Sequence, residues 1–153
     1  MIEGVRLRKL KAIGDYRGQL MELFRSDWPE FIKFGQVYLT TCKPNVVKGW
    51  HYHKIQTDTF LCFMREVKIV LYDSREDSRT KGEIMEFIVG KTNPQLIQIP
   101  PYVYHGFMGI GKQESIIINV PTELYAYKDP DEYRIPFDSK DIPYTWGEGV
   151  IGG

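Results

Sequence analysis

The chain has 153 residues, the size of one domain, and is long enough to bury a core without disulfide or metal staples. Lys plus Arg and Asp plus Glu number 20 each, so the formal net charge is zero. This balance gives no basic field for nucleic acid, and it mildly favours self-association because little repulsion opposes it. We expect one domain over residues 1–153 and no nucleic-acid partner.

The two cysteines are too few for a disulfide framework. Cys62 lies in the apolar run 60–63, which predicts a small buried core residue. No charged-then-apolar leader opens the sequence, and no apolar run approaches membrane length. These features predict a cytoplasmic protein with no membrane partner. The glycine-rich segment 147–153 is predicted to be a flexible tail.

Short β-like runs separated by turn residues make up most of the chain. At most a turn or two of helix is expected, around residues 28–31, because no segment carries a helix-length apolar stripe. Strands at this spacing are typical of an all-β sandwich or barrel. Polar residues on an inward strand face would meet in its cavity. The predicted strands are 34–41, 66–72, 86–89, 96–99 and 115–120, and the polar residues in or beside apolar runs are Gln36, Tyr38, His51, His53, His105 and Asn119.

The chain has only three histidines. His51 and His53 are two residues apart, so on a strand they point to the same side. His105 follows a rigid Pro-Pro turn that starts another strand. Three histidines facing one space favour a functional site. They could bind a metal, with Gln56 or Asp58 completing the ligand set, or one of them could be a general base. The spacing does not decide between these uses.

Other residue types suggest an anion and a proton donor. Arg17 is presented by a turn, and Lys48 stands just before Gly49. Both could hold phosphate oxygens, for which the arginine fork is well suited. Tyrosine can donate a proton to a developing enolate. The candidates for that role, which the sequence does not rank, are Tyr38, Tyr125 and Tyr127.

Five groups of residues then occur in an order typical of one family. They are 14–18 with 21–22, 48–52, 72–75 with Ser78, 99–101 with 105–107, and 134–138. With these segments the chain resembles the dTDP-4-dehydrorhamnose 3,5-epimerase family, a cupin branch of sugar-nucleotide enzymes. The resemblance runs from about Gly14 to Trp146.

The resemblance implies an antiparallel double-stranded β-helix, the jelly-roll barrel of cupins, and a homodimer with an N-terminal strand crossing between subunits. It implies an isomerase that acts on a 4-keto-6-deoxyhexose carried by a nucleoside diphosphate. A histidine removes a proton beside the ketone, and an acid returns one to the opposite face. No metal or organic cofactor is required in that family, which serves dTDP-rhamnose and polysaccharide biosynthesis.

The resemblance also implies roles for four polar residues. Arg17 and Lys48 match the positions that hold the diphosphate, although the family usually has arginine at the latter. Glu22 and Gln36 match positions that contact the nucleotide end. These four residues are expected to bind substrate.

At the catalytic positions, His51 matches the base and His105 the second pocket histidine. The family usually has an enolate-stabilising lysine where this chain has Asp58, and a proton-donating tyrosine where it has Asn119. In the family, an aspartate beyond the position of Trp146 pairs with the histidine that acts as base, and this sequence has no residue that matches that aspartate. We expect Tyr125, which aligns with a nearby family tyrosine, to be the acid, and Asn119 to contact substrate.

His53 stands where glutamine is usual and is also expected to contact substrate. The pattern 49–54 is similar to sugar-nucleotide 3,4-ketoisomerases, which shuttle protons with a histidine pair. Three alternatives to a 3,5-epimerase therefore stay open. They are a 3,4-ketoisomerase, a metal-dependent cupin using His51, His53 and His105, and a sugar-nucleotide binder that has lost the chemistry.

Overall fold

A computed structural model describes residues 1–153, which form thirteen strands and no helix. No element is a helix with the length and apolarity needed to cross a membrane. The strands are β1 Arg6–Lys9, β2 Ala12–Asp15, β3 Gly18–Met21, β4 Tyr38–Cys42, β5 Val46–Tyr52, β6 Asp58–Met64, β7 Val67–Asp73, β8 Ile84–Val89, β9 Gln95–Ile99, β10 Val103–Gly109, β11 Ser115–Asn119, β12 Tyr133–Arg134 and β13 Ile151–Gly152.

Two sheets form the barrel. One has the order β1-β9-β6-β11-β4, and the other has the order β12-β5-β10-β7-β8 with β13 added against β5. All neighbouring strands are antiparallel except β13 and β5. The crossovers between non-consecutive strands give the jelly-roll arrangement. The prediction of an all-β antiparallel barrel of the cupin type is confirmed.

The main core lies between the two sheets. On β7, Val67, Ile69 and Leu71 alternate inward and are fully buried. They belong to one cluster of 14 buried residues that also includes Phe60 of β6 and Ile117 of β11. Burying a side chain of this size contributes about 1.5–3 kcal/mol. Cys62 lies in the same cluster as a buried free thiol, as predicted.

The strand predicted for residues 34–41 begins only at Tyr38. The preceding segment instead bonds to the chain that follows β11, because the Gly35 N–H donates to the Pro121 carbonyl at 3.0 Å. A Cβ on Gly35 would lie 2.5 Å from the Glu123 backbone, so this close approach requires glycine. The segment therefore lies against the chain at residues 121–123.

Two further expectations differ from the structure. Residues 28–31 form turns and no helix, since Pro29 disfavours helical geometry in the residue before it. Residues 147–153, predicted as a flexible tail, include β13, where Ile151 pairs with Val46. Backbone hydrogen bonding to β5 gives this end of the chain a defined position.

Strands β2 and β3 form a hairpin that pairs with neither sheet. Its apolar side chains Ile13 and Leu20 are exposed. Arg17 lies at its turn and pairs with Asp15 at 2.6 Å. The hairpin therefore presents apolar surface and a cation outside the barrel.

Candidate functional site

A cavity of about 820 Å³ opens at one end of the barrel. His51 and His53 line it, and the buried His105 and Asn119 lie behind its wall. The other sequence-predicted residues that line the cavity are Gln36, Tyr38, Lys48, Tyr125 and Tyr127. Most of the predicted site residues thus surround one space.

The pairing of β5 with β10 brings the histidines together. His51 lies directly opposite His105, and their ring centroids are 4.0 Å apart. His53 follows two residues later, with its ring 5.7 Å from His51 and 5.6 Å from His105. Gly49 allows the two strands to approach, because its φ is +145° and a Cβ there would lie 2.6 Å from the Gly106 Cα.

Asp58, the first residue of β6, lies between two of these histidines. Its Oδ2 is 3.1 Å from both His53 Nε2 and His105 Nε2. Its Oδ1 accepts hydrogen bonds from the side-chain amides of Gln56 at 2.7 Å and Asn119 at 2.9 Å. Its side chain is only 1% exposed. The two sheets therefore close on a buried carboxylate.

The surroundings shift the pKa values of His51, His53 and Asp58 in different directions. Burial and the neighbouring His105 hold the pKa of His51 well below its usual value, so this ring is neutral and able to accept a proton. Burial disfavours a charged His53, but the Asp58 carboxylate outweighs it and raises the pKa of His53. Burial likewise opposes ionisation of Asp58, yet His105 and His53 hold its pKa well below the usual range.

Asp131 positions the loop that carries His53. Its carbonyl oxygen contacts His53 Nδ1. Its carboxylate accepts the backbone N–H groups of Lys54, Ile55 and Gln56 at 2.8–2.9 Å. Sequence reasoning missed this residue because the contact joins positions 78 apart and leaves no local pattern.

Two tyrosines offer hydroxyl groups to the cavity. Asn119 faces Tyr38 across β11 and β4, and its side-chain amide donates to the Tyr38 hydroxyl at 2.9 Å. Burial raises the pKa of Tyr38 to about 12, so the phenol is protonated at neutral pH. Tyr125 is exposed to a similar degree, and its backbone N–H donates to Gln36 Oε1 at 3.3 Å.

The cations predicted to hold an anion do not all reach the cavity. Lys48 lines it, and so does Arg134 of β12, which pairs with Glu132 at 2.6 Å. Sequence reasoning did not single out Arg134 as a site residue. Arg17 and Glu22 lie outside the cavity lining.

Comparison with known proteins identifies the relatives of this chain. The sequence profile of dTDP-4-dehydrorhamnose 3,5-epimerase matches residues 1–152. The chain is 45% identical over 153 residues to the probable low-salt glycan biosynthesis epimerase Agl13 of Haloferax volcanii, covering 99% of this chain and 98% of that protein. It is 40% identical over 146 residues to the spore coat polysaccharide biosynthesis protein SpsL of Bacillus subtilis, covering 95% and 97%.

Solved structures agree with these sequence matches. The crystal structure of a dTDP sugar isomerase from Desulfovibrio desulfuricans G20 has a TM-score of 0.88 and 32% sequence identity. The match covers 95% of this chain and 92% of that one. With a family profile spanning nearly the whole sequence, the chain belongs to the dTDP-4-dehydrorhamnose 3,5-epimerase family.

Proposed function

We propose that this protein is a 3,5-epimerase that acts on a 4-keto-6-deoxyhexose carried by a nucleoside diphosphate, in dTDP-rhamnose and polysaccharide biosynthesis. The observation that carries the proposal is the position of His51, which lines the cavity directly opposite the buried His105. Burial holds the pKa of His51 well below its usual value, which favours the neutral imidazole. The family to which the chain belongs supplies the substrate class. We further propose that the enzyme works in the cytoplasm and needs no organic cofactor, because the substrate's ketone acidifies the neighbouring C–H bonds.

In the first step, His51 removes the proton from a carbon beside the ketone, and the electron pair of the C–H bond forms an enolate. A neutral imidazole is a suitable acceptor for this proton at neutral pH. Donors around the cavity then stabilise charge on the enolate oxygen. A proton delivered to the opposite face of the same carbon completes the inversion, and solvent restores both groups.

The proton donor is one of two tyrosines. Tyr125 is the sequence-predicted acid and lines the cavity. Tyr38 has stronger structural support, because Asn119 occupies its oxygen as an acceptor and the phenolic hydrogen has no acceptor within the protein. Asn119 stands where the family usually has the donor tyrosine, so the Tyr38 hydroxyl is placed beside that position.

We propose that a second copy of the chain completes the anion site. Lys48 and Arg134 line the cavity, but four carboxylate residues line it too, so one chain offers a diphosphate little net positive charge. Arg17 sits on the β2–β3 hairpin, whose exposed Ile13 and Leu20 would be covered by a partner subunit. Crossing of this hairpin would deliver Arg17 to the neighbouring cavity.

Size-exclusion chromatography with light scattering tests this homodimer. We expect the mass of two chains at micromolar concentration. Arg17→Ala should weaken dTDP binding by about tenfold or more, the loss expected for a charge-assisted phosphate contact. Lys140→Ala, an exposed substitution outside the cavity, is the matched control. A clean monomer with unchanged dTDP affinity would contradict the proposal.

Proton exchange tests the reaction. The protein is incubated with dTDP-4-keto-6-deoxyglucose in deuterated water, and C3 and C5 are followed by NMR. Deuterium at both carbons is expected for the wild type, and His51→Gln should lose at least about 100-fold in exchange rate, as removal of a general base does. A folded His51→Gln that still binds dTDP and exchanges at the wild-type rate would exclude His51 as the base.

The same assay ranks the two tyrosines. Tyr38→Phe and Tyr125→Phe are compared with Tyr102→Phe, a control whose side chain is exposed outside the cavity lining. Loss of the proton donor should abolish epimerised product while leaving exchange at the abstracted carbon. If neither cavity variant changes the product, another group returns the proton.

A 3,4-ketoisomerase is the second candidate, because His51 and His53 both line the cavity as a pair. It predicts loss of the C3 proton, a carbonyl that moves from C4 to C3, and solvent deuterium at C4 of the product. The carbonyl ¹³C shift of the product separates it from an epimerase. No exchange with tight dTDP binding would support a binding protein without catalysis.

A further inference from the structure

The hydrogen bonding of His53 and His105 fixes where their free lone pairs point. The Nδ1 atom of His53 contacts the Asp131 carbonyl, and that of His105 lies 3.0 Å from the Val103 carbonyl. A carbonyl oxygen only accepts, so in each ring Nδ1 carries the hydrogen. In the neutral form, each Nε2 therefore has a lone pair and no hydrogen.

Both lone pairs meet a third one. The two Nε2 atoms each lie 3.1 Å from Oδ2 of Asp58. Asp58 Oδ2 and His105 Nε2 are fully buried, yet neither makes a hydrogen bond. The amide of Gln56 points at His53 Nε2 from 3.4 Å, as expected for an acceptor there. With both rings neutral, three electron-pair donors thus face one another, and either a hydrogen on Nε2 or a bound cation must lie between them.

We infer that His53, Asp58 and His105 bind one divalent first-row transition-metal ion. Two imidazoles and a carboxylate are a common ligand set for such ions. An ion with bonds of about 2.1 Å places neighbouring ligand atoms about 3.0 Å apart at right angles and about 3.4 Å apart at tetrahedral angles. The separation of 3.1 Å fits a carboxylate oxygen at about right angles to each of the two histidine nitrogens around a six-coordinate ion.

The surrounding hydrogen bonds suit this role. Ligand histidines usually donate their other ring N–H to a carbonyl or carboxylate, which both of these do. Gln56 and Asn119 hold the second oxygen of Asp58, which leaves Oδ2 directed at the ion. The ring of His51 is within reach as a further ligand, since one donor atom from each of the four residues lies within 4.8 Å of the others.

The ion would face the cavity, because His53 lines the cavity while Asp58 and His105 lie behind it. Open coordination positions there suit an oxygen of a bound molecule, such as the ketone of the substrate, which the ion would polarise. The inference that an ion binds here depends only on the geometry of the three residues, whereas polarisation of the substrate ketone by that ion rests on the proposed function. The ion would take over the enolate-stabilising role of the lysine that the family usually has at position 58.

Metal binding is tested on the full-length protein after dialysis against a chelator. Co²⁺ is titrated and followed by its visible absorption, and Zn²⁺ is titrated by calorimetry. We expect one ion per chain. Asp58→Asn and His105→Gln should each weaken metal binding by more than about 100-fold. Substituting residues that only hydrogen-bond to metal ligands already lowers affinity about 10–100-fold, and these two residues are ligands themselves. Glu132→Gln, which removes a cavity carboxylate outside the cluster, is the matched control and should bind as the wild type does.

A second measurement uses the wild-type protein, so that its result does not depend on whether the variants fold. In ¹⁵N NMR of the histidine rings, Zn²⁺ should shift the Nε2 signals of His53 and His105 while their Nδ1 hydrogens remain. A protein that binds neither Co²⁺ nor Zn²⁺ would overturn the inference. Deuterium exchange by such a metal-free protein would leave the epimerase proposal intact. Stoichiometric metal binding without exchange would instead support the metal site and contradict the epimerase proposal.

Discussion

Replacing Asp73 by asparagine should lower the free energy of unfolding by about 2–4 kcal/mol at neutral pH. Asp73 is fully buried at the end of β7. Its Oδ2 accepts from Ser78 Oγ and Thr80 Oγ1 at 2.6 Å and from Arg75 Nη2 at 2.8 Å, while Oδ1 accepts from Arg75 Nε at 2.8 Å. Asparagine turns one of these acceptors into a donor, and each lost charge-assisted bond costs about 1.5–3 kcal/mol.

The effect should depend on pH. Burial opposes ionisation of Asp73, but the bonds from Arg75, Ser78 and Thr80 outweigh it and hold its pKa well below the usual range. A depressed pKa stabilises the fold above the unfolded-state value of about 3.9, and this stabilisation is lost as the pH falls. At about pH 3.5 the advantage of the wild type should shrink by about 0.7 kcal/mol, because the unfolded carboxyl is then mostly protonated.

Urea denaturation followed by tryptophan fluorescence at both pH values measures the difference. Asp77→Asn, an exposed neighbour with no hydrogen bond, is the matched control and should stay within about 0.5 kcal/mol of the wild type. A loss below about 1 kcal/mol for Asp73→Asn, or a difference that grows at low pH, would refute the reasoning.

Two further substitutions and one chemical probe of the cysteines have definite expected outcomes. Gly90→Ala should destabilise the fold by about 3 kcal/mol or more in a thermal-shift assay, because its Cβ would lie 1.7 Å from the Arg65 carbonyl at a φ of +151°. Trp146→Ala should cost about 3–5 kcal/mol in urea denaturation, because the indole is 5% exposed within a buried cluster. Burial raises the pKa of Cys42 to about 12 and raises that of Cys62 as well, so neither thiol should react with Ellman's reagent at pH 8 until the protein unfolds.

The features that could be predicted from the sequence depend on local periodicity. Val67, Ile69 and Leu71 occupy alternate positions of one run, and a period of two places them on one face in any sheet. The same rule placed His51 and His53 on one side. Short strands separated by turns then led to the all-β barrel, and the ordered motifs led to the family.

The contacts that complete the site depend on register between distant strands. Tyr38 meets Asn119 because β4 pairs with β11 in one register, and a shift by one residue would turn one of the two side chains away. Asp58 meets His105 only because the two sheets close at this end. Neither contact follows from spacing along the chain. The sequence offered Tyr38 and Asn119 without linking them, and it grouped Asp58 with His105 only as possible ligands of a metal.

The positions of Arg17 and Glu22 had a different origin, since family resemblance alone assigned them to the substrate. Within one chain they lie outside the cavity lining. A prediction made from family motifs does not distinguish a residue of the same chain from one of its partner. Their role as substrate ligands stays a prediction that depends on the proposed dimer.

The contact between His53 and Asp131 also sets an order in time. At 5–20 residues per second, a ribosome adds Asp131 about 4–16 s after His53. Throughout that interval a nascent chain holds both cavity histidines but lacks the residue that orients one of them. Chemical competence is therefore acquired late in synthesis, and a chain interrupted before residue 131 would carry the histidines without a working arrangement.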